Sequence, residues 1–178
     1  MAYYTLNDIA YLAANCNADS ITLHWSGGGY KNTSPHYHLN ILDDGKVWSD
    51  YNNLDATLSH TWRRNTGNIG ISILCCADAS VDTEGNVTWG SVPPTDEQVN
   101  KMAMIVKTIC EAKGWDITYD RVKTHNDWAK IDGYSIYDSD PDMRWDLIGL
   151  PQEEGDGGDI IRGKAIWYSH HHEECKDE

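Results

Sequence analysis

Two histidines stand where short strand-like runs end, and a group of aspartates follows the second of them. His24 ends the run SITLH ahead of a Gly-rich loop, and His125 ends the run RVKTH. Asp140 lies one loop after His125, in the stretch DSDPDMRWDL. Imidazole nitrogens and a carboxylate oxygen form the mixed donor set that a catalytic zinc ion takes. The residue types and their places therefore predict a zinc site made by His24, His125 and Asp140.

The carboxylate of this set has competitors nearby. Asp138, Asp142 and Asp146 lie close to Asp140 in the chain, and one of the four could cap a helix instead. Catalytic zinc sites use three protein ligands and keep a fourth position for water, whose pKa falls to about 7. The prediction thus requires two strand ends and one loop carboxylate to meet in space.

The elements that must position these side chains are visible in the chain. A capping pattern at Thr5 predicts a short first helix, and HYHLNILDDGKVWSD predicts a hairpin turning at DDG. The run NIGISILCCA is apolar and β-branched, as in a central strand with both faces covered. A longer helix begins at a capping box of Thr95 and Gln98 and ends at Gly114. These elements predict an α/β fold with a central mixed β-sheet flanked by helices and the zinc site at one edge.

Length and charge limit the classes of function. The 178 residues are enough for one domain with a core, and we expect it to span residues 1–150. Residues 151–178 are acidic and Gly-rich, which predicts a linker or tail, with the run His170–His172 solvated in it. The formal net charge of −14 makes nucleic acid and anionic membrane surfaces poor partners. No apolar run reaches the roughly 18 residues of a membrane span, so no membrane insertion is expected.

Five cysteines are odd in number and lack CxxC spacing, so we interpret most of them as small core residues. The first twenty residues lack the basic and apolar sections of a signal peptide. The chain is therefore expected to carry no export signal of its own.

Five blocks of the chain stand in the order found in one enzyme family. They are TLHWS, HYHLNILDDGKVW, SHTWRRNTGNIGISI, PPTDEQ, and THNDW followed by DSDPDMRWDL. From Ile21 to Leu147 the chain resembles the zinc-dependent N-acetylmuramoyl-L-alanine amidases of the amidase-2 type, which include phage endolysins and peptidoglycan-recognition proteins. The resemblance implies that zinc is bound by His24, His125 and Asp140. It also implies a catalytic tyrosine at Tyr37 and a histidine lining the site at His60.

The chain departs from that family pattern at two positions. Many relatives carry a glutamate in the buried strand where this chain has Ser72, and a lysine where it has Asp138. A carboxylate beside zinc-bound water can accept a proton, whereas a lysine would stabilise an oxyanion. The identity of the proton acceptor stays open, and the candidates are Asp138, His60 and a zinc-bound hydroxide acting alone. Tyr37, with Arg64 or Arg144, is the expected oxyanion-stabilising group.

The expected reaction is hydrolysis of the amide that joins the lactyl group of N-acetylmuramic acid to L-alanine, with peptidoglycan as the partner. The protein is expected to stay in the cytoplasm until it is released onto the bacterial cell wall. The alternative from the same family is a weakly active or inactive peptidoglycan-binding module, for which Ser72 is the main argument. A structural zinc in an unrelated protein would require a closed four-ligand site, and the sequence offers no evident fourth ligand.

Overall fold

The computed structural model describes residues 2–133 and 145–175. Its strands are β1 (Ala2–Tyr4), β2 (Ser20–Trp25), β3 (Leu39–Ile41), β4 (Val47–Ser49), β5 (Asn68–Ile73), β6 (Ser80–Val81), β7 (Val87–Thr88) and β8 (Val122–Thr124). Its helices are α1 (Leu6–Ala14), α2 (Asp96–Lys113), α3 (His125–Asp132) and α4 (Gly157–His170), followed by a short 3₁₀ turn (His172–Glu174). No helix in these described ranges is both long and apolar enough to cross a membrane.

Six strands form one mixed sheet in the order β1-β4-β3-β5-β2-β8. The strands β3, β5, β2 and β8 run parallel to one another, while β4 pairs antiparallel with both β3 and β1. The strands β6 and β7 form a separate small hairpin. The predicted mixed α/β fold is confirmed, and the carboxyl ends of the parallel strands meet at one edge of the sheet.

The two central strands separate an apolar face from a polar face. In β5, Ile69, Ile71 and Ile73 alternate with polar or small residues, and every residue of the strand is buried, as predicted. The apolar face belongs to one core with side chains of α1, α2 and α4. On the other face Thr22 accepts a hydrogen bond from the indole nitrogen of Trp128 in α3, at 2.9 Å. The sheet thus buries a polar surface, and hydrogen bonds must satisfy it.

The ends of the helices follow the sequence signals. The side chain of Thr95 accepts from the backbone N–H of Gln98, and Gln98 returns a bond to the backbone N–H of Thr95. Gly114 ends α2 in the left-handed conformation at φ +66°, which costs glycine little. Thr5 and Asp8 form the equivalent box at the start of α1. The two predicted capping sites are confirmed.

The segment after residue 150 differs from the expected linker or tail. Asp156 caps α4 by accepting the backbone N–H of Gly158 at 2.9 Å. Ile160, Ile161 and Ala165 of this helix are buried in the same core as the sheet. Their helical spacing was present in the sequence, but the Gly-rich run before it favoured an irregular segment. The helix therefore belongs to the folded unit that carries the strand ends.

We predict that α4 stabilises this unit through its buried face. Ile161 is fully buried and Ile166 on the same helix is 43% exposed. Ile161→Ala should lower the free energy of unfolding by about 2–5 kcal/mol because it leaves a cavity. Ile166→Ala is the matched control and should change it by less than about 0.5 kcal/mol. Urea unfolding of both variants measures the difference, and equal small effects would mean that α4 is not part of the cooperative core.

Candidate metal centre

His24 and His125 meet at the carboxyl ends of neighbouring parallel strands. In the register of β2 and β8, Leu23 lies opposite Thr124, so the residues that follow them stand side by side. The centres of the two imidazole rings are 4.8 Å apart. His24 is fully buried, and His125 is 7% exposed. The predicted convergence of two strand-end histidines is therefore present.

A capped helix start holds His125 in place. The hydroxyl of Thr124 accepts the backbone N–H of Asp127 at 3.0 Å, and the carboxylate of Asp127 accepts the backbone N–H of Thr124 at 2.9 Å. From α4, the guanidinium of Arg162 donates to the carbonyl of Val122 at 2.8 Å and lies 3.6 Å from the Asp127 carboxylate. The backbone at His125, where β8 becomes α3, is thus held both by the capping box and by Arg162.

Asp146 brings a carboxylate to both rings. Its Oδ2 is 2.8 Å from Nδ1 of His24 and 3.5 Å from Nδ1 of His125. Its backbone carbonyl accepts the N–H of Asn126 at 2.7 Å, which fixes it beside the first turn of α3. Burial would raise the pKa of Asp146, but the His125 and His24 rings outweigh burial and hold that pKa well below its usual range. Asp146 is therefore ionised in this environment.

His60 packs behind His24, against the backbone of β5. Its Nδ1 is 3.1 Å from Nε2 of His24 and 2.8 Å from the hydroxyl of Thr61, and its Nε2 is 3.2 Å from the carbonyl of Asn68. A Cβ at Gly70 would lie 2.8 Å from the imidazole of His60. Only glycine at this strand position leaves room for the ring.

These contacts determine which nitrogens carry protons. Burial, with the nearby His24 and His38 rings, lowers the pKa of His60 to about 2, so the ring is neutral. A carbonyl only accepts, so Nε2 of His60 holds the proton and its Nδ1 is an acceptor. Nε2 of His24 is then the donor toward His60. Nδ1 of His24 therefore faces the Asp146 carboxylate with a lone pair when the ring is neutral, and with a second proton when the ring is positively charged.

Two acceptors 2.8 Å apart repel unless a cation compensates them. A proton on His24 or a metal ion would meet this need. His24, His125 and Asp146 offer one ligand atom each within 4.8 Å of one another. Nε2 of His125 is buried and has no hydrogen-bond partner within the described part of the chain. The donor set of two imidazoles and one carboxylate therefore fits a zinc ion.

Tyr37 lies between this cluster and an open cleft. Its ring centre is 4.9 Å from that of His24. The cleft has a volume of about 520 Å³ and is lined by Tyr37, Asp146, Trp25 and Val81, among others. An extended substrate can reach the cluster from this side. Because Tyr37 borders both the cleft and the cluster, it can contact a bound substrate beside a metal ion.

The remaining predicted site residues have different outcomes. Asp138, Asp140 and Arg144 lie outside the described residues, so their assigned roles stay predictions. Ser72 stands beside His24 in the register of β2 and β5, but its hydroxyl donates to the neighbouring Ile73 carbonyl at 3.3 Å. Asp146 belonged to the acidic group that the sequence singled out. Spacing alone did not select it among four aspartates.

Arg64 was an expected oxyanion-stabilising group and is engaged elsewhere. Its Nε donates to the carboxylate of Asp132 at 2.9 Å, and its guanidinium lies 4.5 Å from the ring centre of Trp128. This ion pair holds the loop after His60 against the end of α3. The described contacts give Arg64 a structural role.

Comparison with known proteins identifies the family of the chain. The family model described as Amidase_2, N-acetylmuramoyl-L-alanine amidase, matches residues 3–141. The match covers most of the chain, and the protein belongs to this amidase family. It therefore has the family's peptidoglycan amidase fold and the associated class of function. Among curated proteins, none matches the sequence.

Two solved structures are similar over part of the chain. One is the endolysin N-acetylmuramoyl-L-alanine amidase LysCS from Clostridium intestinale URNW, at 18% identity and a TM-score of 0.43, covering 64% of this chain and 72% of that one. The other is the N-acetylmuramoyl-L-alanine amidase LysC from the same organism, at the same identity and TM-score, covering 64% of this chain and 74% of that one.

We predict that the close packing of His60 on Gly70 supports metal binding. Gly70→Ala should displace the His60 ring and weaken zinc affinity by roughly 10- to 100-fold, the usual effect of losing a residue that orients a ligand. Gly163→Ala is the control because its Cβ would meet nothing within 4 Å. Competition with a zinc chelator measures both affinities. Wild-type affinity in a folded Gly70→Ala protein would contradict the role given to His60.

Proposed function

We propose that the protein is a zinc-dependent amidase that hydrolyses the bond between N-acetylmuramic acid and L-alanine in peptidoglycan. The observation that carries the proposal is the meeting of His24, His125 and Asp146 in a member of the amidase family. The cluster opens on a cleft next to Tyr37, which gives a substrate access. Bacterial cell wall is accordingly the proposed place of action.

His24 and His125 are the proposed histidine ligands, and two aspartates compete for the third position. Asp146 is supported by its distances to both rings. Asp140 is supported by the family resemblance, and the family match ends at residue 141, which includes Asp140 and excludes Asp146. The contacts of the described residues favour Asp146 as a ligand. If Asp140 holds the metal, Asp146 becomes the carboxylate that orients His24.

A bound zinc ion would polarise the scissile carbonyl and lower the pKa of a water molecule. We propose that Tyr37 donates a hydrogen bond from its hydroxyl to the oxygen that becomes negatively charged during attack. The position of its ring beside His24 and the cleft supports this role. His60 is a poor proton acceptor, since one nitrogen donates to Asn68 and the other faces His24. We therefore propose His60 as a positioning residue, which leaves Asp138 as the side-chain candidate for proton acceptor.

An inactive binding module of the same fold is the alternative. A protein that only binds peptidoglycan has no need to keep two buried histidines and an ionised carboxylate directed at one point. These groups are costly to bury without a bound cation. The presence of these buried groups therefore supports a catalytic protein over an inactive binding module.

Digestion of purified peptidoglycan with the zinc-loaded protein tests the activity. Amide cleavage at the proposed bond should release stem peptides with a free N-terminal alanine while the glycan strands stay uncut, as mass spectrometry can show. Binding to peptidoglycan without new amino termini would support the inactive module instead.

We predict that His125→Ala and Asp146→Ala each lose stoichiometric zinc, because each removes a ligand. Asp142→Ala is the control from the same acidic stretch, since the family resemblance does not select it, and it should keep one zinc per chain. Elemental analysis after dialysis measures the metal content. Loss of zinc in Asp140→Ala, with zinc retained in Asp146→Ala, would identify Asp140 as the ligand.

We predict opposite results for two hydroxyl groups near the cluster. Tyr37→Phe should lower kcat by about 10²–10³ with zinc retained, because an oxyanion donor is lost. Ser72→Ala should keep most of the activity, since the buried hydroxyl bonds to its own strand. The digestion assay measures both variants. A loss beyond about a hundredfold in Ser72→Ala would show that Ser72 takes part in proton transfer.

A further inference from the structure

Cys75 and Cys76 follow the end of β5 after one residue, Leu74, and their sulfur atoms are 3.4 Å apart. Neighbouring side chains of an extended strand point to opposite faces, which keeps adjacent thiols well separated. Here Cys76 adopts φ +70°, one of two positive values among the described non-glycine residues. This left-handed conformation turns both thiols to the same side.

The surrounding backbone holds that conformation. The N–H of Cys75 donates to the hydroxyl of Ser26 at 3.1 Å, and its carbonyl accepts the N–H of Gly28 at 3.0 Å. The N–H of Cys76 donates to the carbonyl of Val92 at 2.7 Å. A strained residue that its neighbours hold on both sides, next to a cleft, indicates a function.

The two thiols differ in access. Cys76 is 7% exposed and lines the cleft that also contains Tyr37 and Asp146, whereas Cys75 is fully buried and does not line it. A small molecule in the cleft therefore meets Cys76 first. Burial raises the pKa of the Cys75 thiol, so Cys75 is the less reactive of the two. Its sulfur takes part in a second step because it lies 3.4 Å from the sulfur of Cys76.

We propose that Cys75 and Cys76 are a vicinal dithiol that low-molecular-weight disulfides oxidise to a disulfide between adjacent residues. The thiolate of Cys76 attacks one sulfur of the small disulfide, which forms a mixed disulfide and releases one thiol. Cys75 then gives up its proton and attacks the sulfur of Cys76, which releases the second thiol. Two cysteine thiols are oxidised and one small disulfide is reduced to two thiols.

Closure of this bond would change the wall of the cleft. The sulfurs must approach from 3.4 Å to a bond length of about 2.05 Å. Cys75 is bonded to Ser26 and Gly28, in the loop after β2 that follows His24 and Trp25. Movement of Cys75 is therefore transmitted to the segment beside the metal cluster.

The test treats the reduced, zinc-loaded full chain with oxidised glutathione and measures intact and peptide masses. The expected product has lost the mass of two hydrogens, with the change in the peptide that contains residues 75 and 76 and no glutathione attached. Cys75→Ser and Cys76→Ser should not give it, and Cys110→Ser, at another buried cysteine, should. Stable glutathione on Cys76 in the wild type, or no reaction at either residue, would overturn the proposal.

A second probe does not depend on oxidation. Phenylarsine oxide binds two thiols that lie close together, so the reduced protein should take up one equivalent. Cys75→Ala and Cys76→Ala should each abolish the uptake, and circular dichroism of the variants confirms that they are folded. Uptake that persists in both variants would place the dithiol elsewhere and overturn the assignment.

The consequence for catalysis rests on the proposed function. Oxidised protein should digest peptidoglycan more slowly, and dithiothreitol should restore the rate. The double variant Cys75→Ser, Cys76→Ser should be insensitive to oxidised glutathione. Since the masses report the disulfide without any assay of activity, a failure of the amidase proposal remains distinguishable from a failure of the dithiol.

Discussion

The start of α3 is the constraint on which the rest of the site depends. At this point a strand becomes a helix within one residue, and the capping box of Thr124 and Asp127 specifies where. Such caps contribute about 0.5–2 kcal/mol each. Arg162 joins the junction to α4 by its bond to the Val122 carbonyl and its charge beside Asp127. Removal of Arg162 would leave a buried carboxylate without its cation, which is strongly unfavourable. A segment that contains no site residue is thereby coupled to the position of His125.

The buried polar face of the sheet shows how structural and functional histidines differ. His38 is also buried, yet its ring is satisfied by backbone, since Nε2 donates to the Ala56 carbonyl at 2.8 Å and Nδ1 accepts the Gly70 N–H at 3.0 Å. Burial lowers the pKa of His38, so this ring is stable as a neutral group. His24 and His125 instead converge with a carboxylate that is held ionised. Their arrangement is satisfied only when positive charge is present, and this distinguishes a ligand site from a packed core.

The sequence predicted the features that local patterns encode. Capping boxes, the hairpin, the central strand and the two strand-end histidines were all recoverable, because each depends on neighbours within a few residues. The helix α4 was missed because its Gly-rich start resembles a linker, whereas glycine is needed where a Cβ at Gly158 would lie 2.9 Å from the Thr124 side chain. The sequence did not favour Asp146 over Asp140, because the contact of Asp146 with His24 joins residues that are 122 positions apart in the chain. No local pattern records such a contact.

The negative net charge affects the approach of metal ions and of substrate at long range, whereas contacts in the cleft act at short range. A net charge of −14 attracts cations to the surface, which favours supply of a divalent metal ion to a cluster that requires positive charge. The same field opposes approach to anionic wall polymers, although salt screens it beyond about 8 Å. For the proposed function, short-range contacts inside the cleft are the available source of selectivity, and Trp25, Tyr37 and Trp145 supply aromatic surface there. Aromatic rings can stack on apolar faces of sugars and peptides without any charge. Under the proposed function, the aromatic lining provides recognition, and the cluster provides the site for the cation that the reaction needs.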